Sequence, residues 1–211
     1  MSLLAKVWRR YRVRKSRRGI VSDFLFLIAM IVALVPPLRR GLMTCAVGVM
    51  LVQPRLYDKI VFVGADDAVR LRTPEGADTL VALPLRRPAL FNVGSVWRAQ
   101  TRAELGSLDG LARRYAGQID VFFVSTDDPA DVVAFLDGEG HTALRPLFLS
   151  ADDCGPGVGE ERLGGVLGQL LMSVPSSALV RPDGLLVVKK LGAARWSGAG
   201  VERACDVALG R

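Results

Sequence analysis

The sequence contains few of the residues on which enzyme chemistry most often depends. Of its 211 residues, three are cysteine and one is histidine. A zinc site or a Ser-His-Asp system would therefore have to be built around His141, which lies between Gly140 and Thr142 in a predicted loop. We interpret His141 as a solvated loop residue. The sequence accordingly predicts no metal site.

Motifs that bind nucleotides or other cofactors are also lacking. The glycines from Gly155 to Gly168 are not followed by the Lys-Ser/Thr pair that completes a phosphate-binding loop. The carboxylate pair Asp127-Asp128 is explained by helix capping, and the pair Asp152-Asp153 by a polar loop. We expect no cofactor, and no small-molecule cofactor is evident among the partners.

Acidic residues are absent from residues 1–18, where basic residues are concentrated. This tail contains eight positive charges, whereas the whole chain carries only +7, so the remainder has a charge of −1. A nucleic-acid-binding domain would carry its basic face on the folded part, which excludes nucleic acid as the expected partner. With 50% hydrophobic and 23% charged residues, the chain is not intrinsically disordered.

The basic tail is followed by a long apolar run. Phe24–Val35 is uninterrupted, and Asp23 is the only charge between Gly19 and Leu38. We predict a transmembrane anchor over residues 19–38, with residues 1–18 as a cytoplasmic tail. A cleaved signal peptide is less favoured because no small-x-small site follows the run, and a buried core helix because the run is apolar on every face. This places the chain in the cytoplasmic (inner) membrane, single-pass, with its domain in the periplasm or another extracytoplasmic space.

A second apolar stretch, Gly41–Val52, is too short to span a bilayer by itself. We assign residues 39–58 to a short juxtamembrane segment that lies on the membrane or against the domain. A two-helix membrane hairpin would return the domain to the cytoplasm, and the Arg39-Arg40 pair argues against it. We interpret Cys45 as an apolar cysteine rather than a lipidation site.

Residues 59–211 alternate short strand-like and helical patterns, which predicts one α/β domain. The predicted strands are Ile60–Val63, Val69–Arg72, Thr79–Ala82, Ala89–Ser95, Ile119–Ser125, Pro146–Ser150, Ser177–Arg181 and Leu185–Leu191. The predicted helices are Arg98–Tyr115, one beginning at Asp128-Pro129, one near Leu163–Leu171, and Val201–Leu209. This order favours a three-layer α/β/α sandwich with a mixed sheet, preceded by the transmembrane helix.

Four segments in a fixed order resemble the membrane-anchored thioredoxin-like proteins of the TlpA type, of the wider AhpC/TSA/TlpA group. These segments are Ala89–Trp97, Arg102-Ala103-Glu104-Leu105, Val174-Pro175-Ser176-Ser177 and Arg181-Pro182-Asp183-Gly184. Gly192–Trp196 is similar to the closing Gly…Trp of these proteins. The resemblance implies a thioredoxin-like fold, a cis peptide at Val174-Pro175, and a possible site role for the acid Glu104.

One departure from that pattern removes the chemistry that the resemblance would imply. Where the family has Trp-Cys-x-x-Cys-Arg, this chain has Trp97-Arg98-Ala99-Gln100-Thr101-Arg102. Thiol–disulfide exchange requires a thiolate to attack and a second thiol to resolve the mixed disulfide. We therefore assign no catalytic residue.

The remaining cysteines are poor substitutes for the missing pair. Cys154 follows Asp152 and Asp153, whose charges oppose thiolate formation, and Cys205 lies on the apolar face of the last predicted helix. Whether Cys154 and Cys205 form a disulfide stays open, because sequence does not show whether the two approach each other.

Three functional hypotheses follow from these observations. The first is a non-redox binding module that holds an extended segment of an extracytoplasmic or membrane protein in a groove formed by Trp97, Arg98 and Val174–Ser176. The second is a structural or assembly subunit of a membrane complex that uses the anchor instead. The third is an oxidoreductase of the TlpA type that employs other thiols. An enzymatic role is thus uncertain, and the first hypothesis is preferred.

Overall fold

The computed structural model describes residues 16–63, 69–81, 84–149 and 173–211. The chain divides into two compact units, Met1–Met43 and Thr44–Arg211. The predicted helix near Leu163–Leu171 and the cysteine Cys154 lie outside the described residues.

The N-terminal apolar region forms two helices separated by a proline break. Helix α1 spans Arg17–Leu34 and helix α2 spans Pro36–Met50. The hydroxyl of Ser16 caps α1 by accepting a hydrogen bond from the amide of Gly19 at 3.3 Å. Val35 adopts an extended conformation (ψ 104°) because a residue before proline disfavours the helical region. The two helices are bent by 100° at this point.

This break corrects the prediction of one anchor helix over residues 19–38. Among the described residues, no single helix is both long and apolar enough to cross a bilayer, and α1 and α2 reach the required length and composition only as a bent pair. The break is not visible in the composition, because Pro36 and Pro37 continue the uncharged run. Pro36 has no backbone N–H, however, and therefore ends the helical hydrogen bonding of α1. The juxtamembrane stretch is correspondingly helical up to Met50.

The second unit is built on a seven-stranded mixed sheet. Its strands are β1 (Val69–Arg72), β2 (Asp78–Val81), β3 (Ala89–Gly94), β4 (Asp120–Ser125), β5 (Arg145–Phe148), β6 (Ser176–Val180) and β7 (Leu186–Leu191). Their spatial order is β2-β1-β5-β4-β3-β6-β7. Strands β3, β4 and β5 are parallel, and the other neighbouring pairs are antiparallel.

Three helices accompany this sheet in the described part of the chain: α3 (Ala99–Arg114), α4 (Pro129–Gly138) and α5 (Ala199–Leu209). Helix α4 begins with Asp128 as its cap and Pro129 in its first turn, a typical helix start. Helix α5 ends at Gly210, whose left-handed conformation (φ 73°) suits a glycine. The predicted starts of α3, α4 and α5 are thus correct to within about two residues.

Apolar side chains form a core on each face of the sheet. One core joins Leu90, Phe123 and Leu179 to all three of these helices, through residues such as Leu105, Val132 and Val201. The other contains Phe91, Val124 and Ala178, against which Tyr57 and Val174 pack. The alternation of neighbouring strand residues between the two cores explains why β3, β4 and β6 are almost continuously apolar. The prediction of a mixed sheet is confirmed. The third layer of the predicted α/β/α sandwich stays a prediction.

One predicted strand, Ile60–Val63, is reduced to a single bridge between Phe62 and Leu185. The segment nevertheless runs along the edge of β7, where the amide of Leu186 donates to the carbonyl of Val61 at 2.9 Å. The amide of Val63 also donates to the carbonyl of Gly184 at 2.8 Å. This segment covers part of an edge that would otherwise present unpaired backbone groups.

The chain that follows α2 lies against the domain, one of the two positions expected for it. The amide of Arg195 donates to the carbonyl of Val52 at 3.0 Å, and its guanidinium donates to the carbonyl of Gly48 at 3.3 Å. The side chain of Gln53 accepts a hydrogen bond from the amide of Gly200 at 3.2 Å. Residues 48–53 are therefore bound to the domain and do not form a free linker.

Candidate functional site

The candidate site begins at the carboxyl end of β3, where the chain turns into α3. Gly94 ends this strand in a tight space: a Cβ there would lie 2.6 Å from the ring of Phe123 and 2.7 Å from the methyl carbon of Thr101. Only glycine therefore fits without displacing these two side chains. This close contact brings the first turn of α3 directly onto the end of the sheet.

Asp127 holds the loop between β3 and α3. Its carboxylate accepts a hydrogen bond from the amide of Val96 at 2.8 Å and another from the hydroxyl of Ser95 at 3.0 Å. The sequence pattern assigned both Asp127 and Asp128 to helix capping, but only Asp128 caps α4, accepting from Ala130 at 2.9 Å. The position of Asp127 could have been anticipated, because the carboxyl ends of neighbouring parallel strands meet at one edge.

The five residues of the altered motif occupy the loop end and the first turn of α3. Trp97 is 59% exposed, and Arg98 is an exposed N-cap residue that makes no side-chain capping bond. Ala99 and Gln100 open the helix. Thr101 is fully buried, and its hydroxyl accepts a hydrogen bond from the amide of Ser95 at 3.3 Å. The two positions where the family has cysteines thus carry an exposed cation and a buried hydroxyl.

The second part of the site is the loop before β6. The Val174-Pro175 peptide is cis, as the resemblance implies. The carbonyl of Pro175 accepts a hydrogen bond from the amide of Gly192 at 2.8 Å, and Ser176 is buried at the start of β6. A guanidinium N–H of Arg98 donates to the carbonyl of Val174 at 3.4 Å. The structure therefore brings the motif loop and the cis-proline loop together; their role in binding stays a prediction.

Glu104, in helix α3, is a fully buried carboxylic acid. Its carboxylate accepts hydrogen bonds from the side-chain amide of Asn92 at 3.0 Å and from the backbone amide of Ala194 at 2.9 Å. Burial raises the pKa of Glu104 to about 7 despite these hydrogen bonds and the nearby charge of Lys190, which lower it. Glu104 therefore changes its ionisation near neutral pH.

A small polar network surrounds this acid. The side-chain amide of Asn92 also donates to the hydroxyl of Ser177 at 2.9 Å. Within the described residues, the side-chain oxygen of Asn92 and the indole N–H of Trp196 are buried without a well-aligned hydrogen-bond partner. The indole still lies close enough to lower the pKa of Glu104. The sequence pattern indicated Glu104 but not Asn92 and Ser177, because a polar residue within an apolar strand gives no separate signal of a site.

The described cysteines do not reconstitute a redox site. Cys45 is an exposed residue of α2, and Cys205 is buried in α5. Burial raises the pKa of the Cys205 thiol to about 11, which makes it a poor nucleophile at neutral pH. The described part of the chain contains no group of three or more His, Cys, Asp or Glu side chains suited to a metal ion. His141 is half-buried after α4.

A separate cleft of about 470 Å³ opens between α3 and α5. Its walls include Gly106, Gly110, Tyr115 and Trp196. The residues Trp97, Arg98 and Pro175 do not line it. The cleft is therefore distinct from the candidate site.

The architecture has close counterparts among solved structures. A candidate thiol-disulfide oxidoreductase from Bacteroides vulgatus superposes with a TM-score of 0.52 at 18% identity, over 70% of this chain and 98% of that one. A candidate thiol:disulfide interchange protein DsbE from Chlorobium tepidum gives 0.51 at 15% identity, over 72% and 99%. The fold is thioredoxin-like.

A third structure of the same kind is a DsbF homologue from Corynebacterium diphtheriae, with a TM-score of 0.50 at 14% identity, over 72% of this chain and 88% of that one. No family model matches the sequence, and no curated protein matches it. At these identities the likeness establishes the thioredoxin-like fold alone. It also confirms the fold that the four sequence segments implied.

Proposed function

We propose that this chain is a membrane-anchored, extracytoplasmic thioredoxin-like protein that has lost the redox dithiol and acts as a non-catalytic binding or assembly module for envelope proteins. One observation carries the proposal. The cis-proline loop and the motif loop lie together, linked by Arg98 and the carbonyl of Val174, while both cysteine positions hold other residues.

The side chains at those two positions support the proposed loss of redox chemistry. A guanidinium and a hydroxyl do not attack disulfide sulfur, and Thr101 is buried besides. The thiol of Cys205 is also buried, with a raised pKa. The alternative function, an oxidoreductase of the TlpA type, would need the thiol of Cys154 or of a partner protein. Neither thiol belongs to the candidate site.

Binding of an extended segment requires only the surface that is retained. Addition of an extended partner segment to the backbone at the start of β6 would need no thiol. Trp97, just before α3, and Leu191, at the end of β7, are 59% and 54% exposed. An exposed tryptophan is a typical feature of protein-binding surfaces.

Membrane attachment is supported by the N-terminal residues. The tail before α1 is strongly basic, and the apolar side chains of α1, including Phe24, Leu25 and Phe26, are exposed. Basic residues before an apolar segment favour a cytoplasmic N-terminus. Because residues 48–53 are bound to the domain, we expect the domain to act near the membrane, with a membrane or extracytoplasmic protein as partner.

Site-specific photocrosslinking in native membranes tests this function. The full chain would carry p-benzoylphenylalanine in place of Trp97 or Leu191, or in place of the exposed Arg203 on α5 as a control. We expect discrete adducts from the two site positions and none from position 203. A second substitution, Pro175→Ala, should remove the adducts by altering the loop.

The second candidate function, a structural subunit that assembles through its helices, is favoured by the exposed apolar residues of α1 and α2. Probes at Phe24 and Leu42 distinguish it from the binding module. Adducts from these positions alone, with none from Trp97 or Leu191, would refute a binding role for the groove and support the assembly subunit.

A further inference from the structure

Hydrogen bonds connect several exposed residues to the cis-proline loop. Arg98, which follows the exposed Trp97 in the chain, donates to the carbonyl of Val174, and the buried Pro175 comes next. The hydrogen bond from the amide of Gly192 to the carbonyl of Pro175 then joins it to the end of β7 at Leu191. We name these residues (Trp97, Arg98, Val174, Pro175 and Leu191) the cis-proline surface.

The cis-proline surface has apolar ends and a cation between them. Trp97 and Leu191 are more than half exposed, and the guanidinium of Arg98 lies where it reaches the carbonyl of Val174. Acids next to this surface are already engaged: Glu104 is fully buried and Asp127 binds Ser95 and Val96.

Arg98 differs from some of the arginines of this unit in its partners. Six others pair with an aspartate or a glutamate: Arg72, Arg87, Arg113, Arg114, Arg145 and Arg181. Within the described part of the chain, Arg98 forms no ion pair, and its one hydrogen bond is a long one. A guanidinium offers five donors that match a carboxylate, so most of its binding capacity is unused.

We infer that the cis-proline surface selects an extended protein segment in which an aspartate or glutamate is flanked by apolar residues. The carboxylate binds Arg98, and the apolar side chains cover Trp97 and Leu191. On binding, Arg98 leaves the carbonyl of Val174, which then accepts a hydrogen bond from the partner backbone. This inference rests on the proposed binding function and adds the chemical class of the partner.

Defined peptides test this selectivity on the full chain reconstituted in neutral phosphatidylcholine nanodiscs. The probe is a rhodamine-labelled peptide of sequence Ser-Thr-Val-Val-Glu-Val-Val-Thr-Ser, and two matched peptides carry glutamine or lysine in place of the glutamate. Binding is measured by fluorescence anisotropy. We expect the glutamate peptide to bind about fivefold more tightly than the glutamine peptide, and the lysine peptide to bind most weakly. The preference for the glutamate peptide should decrease in about 1 M salt, where the Debye screening length is roughly 3 Å.

Two variants assign the preference to one side chain. Arg98→Gln should bring the glutamate and glutamine peptides to equal affinity, whereas Arg98→Lys should retain part of the difference. Arg203→Gln removes the same charge from an exposed position on α5 and should leave the preference intact. Circular dichroism of each variant verifies that it is folded.

The possible failures are distinguishable. Equal binding of the glutamate and glutamine peptides to the unsubstituted chain overturns the inference but leaves the binding function standing. A preference that survives Arg98→Gln also overturns it. If no peptide binds, or if Trp97→Ala weakens none of them, the proposed function of this groove fails together with the inference.

Discussion

The carboxylate of Glu104 in α3 accepts a hydrogen bond of 2.9 Å from the backbone amide of Ala194, ninety residues later in the chain. This bond connects α3, whose N-cap is Arg98, to the loop after β7. The same loop binds the carbonyl of Pro175 through Gly192 and the carbonyl of Val52 through Arg195. One buried acid thus lies where the motif helix, the cis-proline loop and the segment after α2 are joined.

The raised pKa of Glu104 predicts a pH-dependent stability. The unfolded chain releases this proton at pH values above about 4.5, whereas the folded chain retains it up to about pH 7. The free energy of unfolding therefore falls by about 3 kcal/mol as the pH rises from about 4.5 to about 7. Above this range, Glu104 causes no further change. Urea unfolding between pH 4 and 9 measures the effect.

Glu104→Gln provides the control for that experiment. The neutral amide should flatten the pH dependence because it does not ionise, although it retains an acceptor for only one of the two donors, Ala194 and Asn92. An unchanged pH profile in this variant would show that another group is responsible.

The full chain should not catalyse disulfide reduction above the dithiothreitol background. A chain carrying both Arg98→Cys and Thr101→Cys should exceed that background by at least about tenfold, because the helix N-terminus lowers the pKa of a cysteine placed there. Turbidity from insulin reduction measures both. Turnover by the unsubstituted chain that disappears on Cys154→Ser would restore the oxidoreductase hypothesis.

Substitution of Arg98 should affect binding and stability in opposite directions. Arg98 makes no capping bond and places a cation at the positive end of the helix dipole, so Arg98→Ala should leave the melting temperature unchanged or slightly higher. Arg98→Asp should stabilise the fold by about 1 kcal/mol, since aspartate is a preferred N-cap. Both should weaken recovery of the native partner from membranes. Unaffected recovery would favour the assembly-subunit function.

The close approach at Gly94 predicts a large effect of a small substitution. Gly94→Ala should destabilise the domain by about 1–3 kcal/mol, because the added carbon overlaps Phe123 and Thr101. Gly110→Ala is the matched control: a Cβ at this helix position would meet no atom within 4 Å, so the substitution should stabilise by up to about 1 kcal/mol. Similar melting temperatures for the two variants would contradict the packing at β3.

The direction of membrane insertion is open to a simple reporter test. The basic tail before the apolar region predicts a cytoplasmic N-terminus and an external domain. Alkaline phosphatase fused after Arg211 should be active, and a reporter that works only in the cytoplasm should be silent at the same position. The reverse result would indicate that α1 and α2 both cross and return the domain to the cytoplasm.

Local pattern in the sequence was enough to predict most of the strands and helices and the mixed sheet. Buried strands such as β3 and β4 show as continuous apolar runs, and helix α3 shows as a regular repeat of Leu105, Leu108 and Leu111. The missing dithiol is likewise a property of the sequence, since residues 98 and 101 are visible without any coordinates. Each of these features depends on residues near one another in the chain.

Tertiary structure decided the features that depend on distant residues. The pKa of Glu104 near 7 arises from its burial, which outweighs the hydrogen bonds from Asn92 and Ala194, and the role of Asp127 arises from the meeting of β3 and β4. The bend at Val35 was also not evident from hydropathy, because hydropathy does not register the missing amide of Pro36. The ionisation of Glu104 and the position of the loop held by Asp127 depend on burial and on hydrogen bonds between distant segments. A local sequence pattern does not contain this information.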